Sequence, residues 1–211
     1  MLFSPFSVLY QKISAQLTQY GVMPTGADEV AFKTWLLAAW ADSGFTQDFA
    51  ALYQDASSTT FSVGVRVGSS GHKVNVWWGD GTSNSYTPST SSNTTIGKTW
   101  GSGAKRAIVL IGRITRWEGT SQKYGGRLWE NLRSLTYLSC GGCSLLTGSI
   151  NSLPSGLTFL SCWSCSLLTG SINNLPSGLT YLDCGSCSLL PGSINSLPSG
   201  LTSIDCILWC F

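Results

Sequence analysis

Apolar and polar side chains alternate through the middle of the chain. Phe61, Val63, Val65 and Val67 fall on one parity, and Val74, Val76 and Trp78 repeat the pattern. A period of two sends successive side chains to opposite faces of a strand, so both stretches predict β-strands with one buried face. Trp78 opens a Trp-Gly-Asp-Gly-Thr segment that predicts a tight turn, with Asp80 as its capping carboxylate. A Ser/Thr/Asn-rich loop (83–95) follows, then a predicted strand from Arg106 to Ile111. The N-terminal 56 residues read differently. Ser4-Pro5 predicts a helix running toward Tyr20, and Thr25 to Asp28 reads as the capping signal of a second helix ending near Gly44. Residues 46–56 read as a third, short helix. The second helix carries Val30, Phe32, Trp35, Leu36, Leu37 and Trp40, apolar on more than one side, which predicts wide burial and docking onto another chain.

From Leu135 the period becomes 22 residues. Three copies read LTYLSCGGCSLLTGSINSLPSG (135–156), LTFLSCWSCSLLTGSINNLPSG (157–178) and LTYLDCGSCSLLPGSINSLPSG (179–200), and a partial fourth, LTSIDCILWCF, closes the sequence. A fixed period in this range predicts a solenoid, in which each turn buries its apolar side chains against its neighbours. The repeat resembles the leucine-rich repeat, L-x-x-L-x-L-x-x-N/C-x-L. Leu135, Leu138 and Cys140 take the strand positions, Cys143 the Asn/Cys position and Leu145 the leucine that follows. Gly148 and Gly156 read as sites of positive φ, and Pro154 as a restraint on the return.

The resemblance covers residues 135–211. It implies that strand residues between the leucines face one concave surface in rows: Tyr137, Phe159, Tyr181 and Ser203; Ser139, Ser161, Asp183 and Asp205; Gly141, Trp163, Gly185 and Ile207. Aromatic rows beside small polar rows suit a glycan or a protein surface. Asp183 and Asp205 are the only charged residues from Leu135 onward. As stacked neighbours they fit an acid–base or calcium pair in type, but nothing else in the tract completes such a site, so they read as solvated carboxylates.

All eight cysteines lie in the repeats. Their C-x2-C pairs have zinc-ribbon spacing, and disulfides are a second reading. Their coincidence with core positions of the repeat favours a third, small apolar side chains filling a narrow interior as buried thiols. Cys206 and Cys210 break the spacing to C-x3-C and are the pair expected to behave differently.

Composition narrows the function. Hydrophobic residues make up 43 % of the 211-residue chain and charged residues only 10 %, well under the usual quarter. That scarcity points to assembly. The net charge of +2 does not call for nucleic acid, although eight of the twelve basic residues fall between Lys98 and Arg133. No uncharged apolar run approaches the ~18 residues of a membrane span, and the N-terminus lacks the basic start of a Sec signal peptide. The single histidine, His72, sits in a Gly/Ser turn with no nucleophile–base constellation around it in sequence.

The segment Trp78 to Thr82, followed by Thr99-Trp100-Gly101 and the strand from Ala107 to Ile111, resembles the polycystic-kidney-disease-like (PKD-like) β-sandwich of surface proteins. By analogy with surface and phage proteins of gut-type bacteria that join such a sandwich to cysteine-bearing leucine-rich repeats, Ile114 and Trp117 read as a first, degenerate repeat. The expected fold is α+β: a helical anchoring segment (1–56), a small β-sandwich (57–118) and a leucine-rich-repeat solenoid (119–211). The expected function is that of a non-enzymatic structural and adhesive protein without cofactor or metal, a phage virion or appendage subunit; the alternative is a bacterial cell-surface or secreted interaction module. Its partners would be copies of itself, other assembly proteins and a surface glycan or protein. Binding falls to Tyr137, Phe159, Trp163, Tyr181, Asp183 and Asp205. Oligomerisation falls to Trp35 and Trp40, and to Ile207, Leu208, Trp209 and Phe211, where the written sequence stops without a polar cap.

Overall fold

The computed structural model describes residues 4–206, so Ile207, Leu208, Trp209 and Phe211, four of the expected oligomerisation residues, lie outside the described residues. Strands dominate, with two α-helices among the described residues and a solenoid at the C-terminal end. Helix α1 (Pro5–Gln19) starts as expected, with Ser4 accepting from the Ser7 N–H at 3.2 Å and proline in the first turn. Helix α2 (Ala27–Asp42) has Gly26 at its N-cap and no side-chain capping bond, so Thr25 does not cap it.

Residues 46–56 are not helical. They carry strand β1 (Phe49–Gln54), and five of its six residues are buried. Both faces of β1 are covered, which removes the alternation that would have marked it as a strand. Then come β2 (Thr60–Val67), β3 (Val74–Trp77), β4 (Ser83–Tyr86), β5 (Thr94–Thr99), β6 (Arg106–Ile111), β7 (Ile114–Glu118) and β8 (Tyr124–Gly126). One sheet runs β4-β3-β6-β1-β8. Phe49, Ala51, Trp77, Ala107, Val109 and Ile111 on one of its faces pack under Leu9, Ile13, Leu17, Phe32, Leu36 and Ala39 of the helices. Ala50, Leu52, Val74, Val76, Ile108 and Leu110 on the other face share a core with the second sheet. The helices are thus covered from below by this chain. Only one face of α2 is buried; Val30 and Leu37 stay 65 % and 51 % exposed. Within this chain α2 buries one stripe, because a helix on a sheet has one inward face. Trp35 stacks at 5.8 Å on Phe32 and meets Trp77, while Trp40 meets Phe6 and Phe45.

The second sheet links both halves of the chain. Its strands beyond β7 are β9 (Tyr137–Ser139), β11 (Phe159–Ser161), β13 (Tyr181–Asp183) and β14 (Ser203–Asp205), and its order is β14-β13-β11-β9-β7-β2-β5. A short pair, β10 (Gly148–Ser149) with β12 (Leu168–Thr169), runs parallel on the return side. The solenoid strands are parallel and pair one repeat apart, Leu138 with Leu160, Leu160 with Leu182, and Leu182 with Ile204. The pivot is β7. It pairs antiparallel with β2 and parallel with β9, setting Trp117 opposite Leu138. Ile114 and Trp117 therefore occupy a first rung, as the repeat offset suggested.

Each solenoid turn is stitched to the one before it. Thr136, Thr158, Thr180 and Thr202 donate Oγ1–H to the backbone carbonyls of Thr115, Thr136, Thr158 and Thr180 at 3.0–3.1 Å. On the return, Asn151 and Asn173 accept from Ser171 and Ser193 N–H groups of the following turn. Gly148 has φ 115°, as expected; Gly156 is not at positive φ, since Pro154 already closes that turn through its carbonyl to Leu157 N–H at 3.0 Å. Leu145 is not the inward leucine. Leu146, Leu168 and Leu190 are buried, while Leu167 and Leu189 stand 45 % and 51 % exposed. The Cys143 carbonyl accepts from Leu146 N–H at 3.0 Å, and that tight turn brings the second leucine of each pair inward.

Candidate functional site

The outer face of the seven-stranded sheet carries the expected rows and extends them. Tyr137, Phe159 and Tyr181 lie at matching register positions on adjacent parallel strands, which sit about 4.8 Å apart. Their rings close that distance by stacking, with centroids 4.0 Å and 4.2 Å apart and planes within 8° and 5°. The row does not stop at the solenoid. Arg116, opposite Tyr137 on β7, lays its guanidinium 3.3 Å from the Tyr137 ring centre, a cation–π cap. Glu118 bonds Arg116 and Asn93, and Asn93 accepts from Arg66 Nε at 2.8 Å. One polar cluster thereby finishes the aromatic ladder at the two-sheet end.

This geometry changes what the ladder can do. Both ring faces of Phe159 are covered, and so are those of Tyr137. A sugar that stacks on an aromatic needs an open ring face. Tyr137 and Phe159 present edges, and only Tyr181, opposite Ser203, ends the stack. The ladder stiffens the face.

Trp163 stands apart. It is 40 % exposed, yet it is not loose. A Cβ added to Gly141 would lie 2.0 Å from Trp163 Nε1, so the indole rests on the backbone of the preceding turn. Gly141 and Gly142 supply the room. Asp183 and Asp205 face each other across β13 and β14, and Ser161 donates to Asp183 Oδ2 at 3.0 Å. Tyr181, Asp183 and Asp205 thus form an aromatic and acidic end to an otherwise neutral solenoid face, and Trp163 stands beyond the neighbouring strand β11, leaning toward the preceding turn.

Inside the solenoid the cysteines form a second ladder. Cys143, Cys165 and Cys187 donate their thiol protons to the backbone carbonyls of Gly119, Cys140 and Cys162 at 2.8, 3.1 and 3.0 Å. Each reaches the preceding turn and adds a second donor to a carbonyl that already accepts from Tyr124 Oη–H, Cys143 N–H or Cys165 N–H. Burial pushes Cys143 up to about 11, which keeps it a proton donor at neutral pH. The cysteines described are thiols, and six of the seven are buried. Among the described residues no cluster of three or more His, Cys, Asp or Glu side chains could hold a metal ion.

Two other places were marked by sequence. Asp80 caps its turn as expected, accepting from Thr82 N–H and Oγ1–H at 3.1 and 2.6 Å and from Trp100 Nε1–H at 3.0 Å, beside Lys98. Burial alone would raise its pKa, but Lys98 and the Thr82 donors outweigh it and the pKa falls to about 2. A depressed carboxylate stabilises the fold above its unfolded pKa near 4 and loses that contribution as pH falls through about 2. Asp80 is solvent-exposed, so screening discounts the effect: Asp80→Asn is expected to cost about 1 kcal/mol or less at pH 7 and to flatten the stability profile between those limits, read by urea unfolding across pH. His72 shares a cavity of ≈ 250 Å³ with Asp42 and Ser43. No relay joins them: Ser43 Oγ donates to Ala39 O at 2.6 Å, and Asp42 takes Lys73 at 2.6 Å.

Sequence reading placed Tyr137, Phe159, Trp163, Tyr181, Asp183 and Asp205 on one face, and the structure brings them there. It missed Arg116 and Glu118, whose signal was their offset of 21 residues from Tyr137 and Ser139, one short of the repeat. Searches of family models, curated proteins and solved structures return no match to this chain.

Proposed function

We propose that this is a non-enzymatic structural and adhesive protein that recognises a surface through the outer face of its long sheet. The carrying observation is that one sheet runs unbroken from the two-sheet half into the solenoid, giving a platform that carries the half-exposed Trp163 and ends in Tyr181, Asp183 and Asp205. Rigid aromatic anchors beside polar groups are the usual makers of binding energy at interfaces. In this reading the two-sheet half is a PKD-like β-sandwich that caps the solenoid, and the repeats are leucine-rich repeats whose Asn position is filled by the thiol donors. The protein works in an assembly with copies of itself, on a virion or an extracellular surface, and the sparse charge and the exposed Val30 and Leu37 of α2 support that reading.

The test uses the labelled protein on a glycan microarray and on bacterial cell-envelope preparations. Trp163→Ala is expected to lower retention at least tenfold, the equivalent of about 1.4 kcal/mol, with little change in thermal stability. Gly141→Ala, which displaces the indole without removing it, is expected to do the same. Unchanged retention in both variants would exclude this face as the site.

A further inference from the structure

We propose that Cys184 and Cys206 are an oxidisable pair, a disulfide site closed across the last two described rungs by a low-molecular-weight disulfide such as oxidised glutathione. Their sulfurs lie 3.0 Å apart. The backbones are already docked, with Cys184 N–H donating to Asp205 O at 3.0 Å and Asp183 opposite Asp205. Rungs about 4.8 Å apart fall within the ~4.4–6.8 Å Cα separation that a disulfide spans. The rung spacing is therefore one that a disulfide can span.

The same spacing recurs at Cys140 and Cys162, but that pair is placed differently. In the inner turns the second thiol of each C-x2-C reaches back to the first cysteine of the preceding turn, Cys165 to Cys140 and Cys187 to Cys162. Cys184 meets Cys206 itself. Access differs too: Cys140 and Cys162 are fully buried, whereas Cys206 is half-exposed. The electrostatics agree with the geometry. The hydrogen-bonding contact between the two sulfurs lowers the Cys206 pKa and raises that of Cys184; a thiolate is the nucleophile in exchange.

The reaction balances as two exchanges. The Cys206 thiolate attacks one sulfur of oxidised glutathione, forming a mixed disulfide and releasing one glutathione thiolate. Cys184 gives its proton to solvent, its thiolate attacks the Cys206 sulfur, and the second glutathione thiolate leaves. Two protein thiols are oxidised and one glutathione disulfide is reduced. The closed bond would clamp the strand that carries Asp205 to the strand that carries Asp183.

Reduced full-length protein, kept folded, is incubated with oxidised glutathione and mapped by mass spectrometry of non-reduced peptides. The expected product is a Cys184–Cys206 cross-link, lower in mass by one hydrogen pair, with slowed amide exchange at Ser203 to Asp205. C206S abolishes the cross-link, and C184S leaves the glutathione mixed disulfide stranded on Cys206. If C184S does not fold, C206S carries the comparison alone. A Cys206–Cys210 bond in its place, a mixed disulfide that never closes in the unmodified chain, or two unreacted thiols would each overturn the proposal.

Discussion

Cys162→Arg is expected to unfold the solenoid. Cys162 is fully buried between two turns; its N–H donates to Asp183 O at 2.7 Å and its carbonyl accepts the Cys187 thiol at 3.0 Å. An arginine there has no carboxylate to pair with, since Asp183 and Glu118 point to the outer face of the sheet. Burying an unpaired charge costs several kcal/mol even after relaxation, and a whole domain is stable by only about 5–15 kcal/mol. The side chain is also far too large for the space between rungs. Loss of the cooperative transition by circular dichroism is the expected result. Cys162→Ala, which removes one sulfur and no backbone partner, should stay folded at a cost of roughly 1–2 kcal/mol. Wild-type cooperativity in Cys162→Arg would mean that the interior is open to water.

Trp117→Ala is expected to weaken both halves at once, by about 3–5 kcal/mol. Trp117 is fully buried, meets Phe61 and Tyr124 edge-on at 6.5 and 6.1 Å, and donates Nε1–H to the Tyr124 hydroxyl at 2.9 Å. It sits on β7, the strand shared by the antiparallel and parallel parts of the long sheet. A cavity there loosens the contact of β7 with β2 and with β9 alike. Urea unfolding followed by amide exchange in Val63 to Val67 and in Tyr137 to Ser139 should show both segments losing protection together. Separate transitions, with only one segment affected, would show that the two halves fold independently.

Much of this was legible from local pattern. Strands β2, β3 and β6 announced themselves because one or both of their parities are continuously apolar, and α1 through its Ser-Pro start. The 22-residue period gave the solenoid, its strand positions and the rows on its outer face, because parallel rungs in register repeat whatever the sequence repeats. The buried environment of the cysteines followed from the same phase. β1 was not legible. Phe49-Ala-Ala-Leu-Tyr-Gln is buried on both faces between helices and a second sheet, and an apolar run of that length suits helix and strand alike.

The sequence by itself determined what is periodic: the repeat length, the strands within it, and which side chains share a row, since these depend only on the spacing of residues along one chain. The tertiary structure decided what depends on distance in space. Turn closure at Cys143 and Leu146 chose the inward leucine. Direct stacking of Tyr137, Phe159 and Tyr181 turned three expected contact rings into a stiff ladder with two of them sealed. Two glycines in one turn made a bed for Trp163 in the next, and pairing of β7 with both β2 and β9 joined two modules into one face. Apart from that local turn, each of these is a close fit between residues tens of positions apart, and such fits are set by packing density and hydrogen-bond geometry in the assembled core.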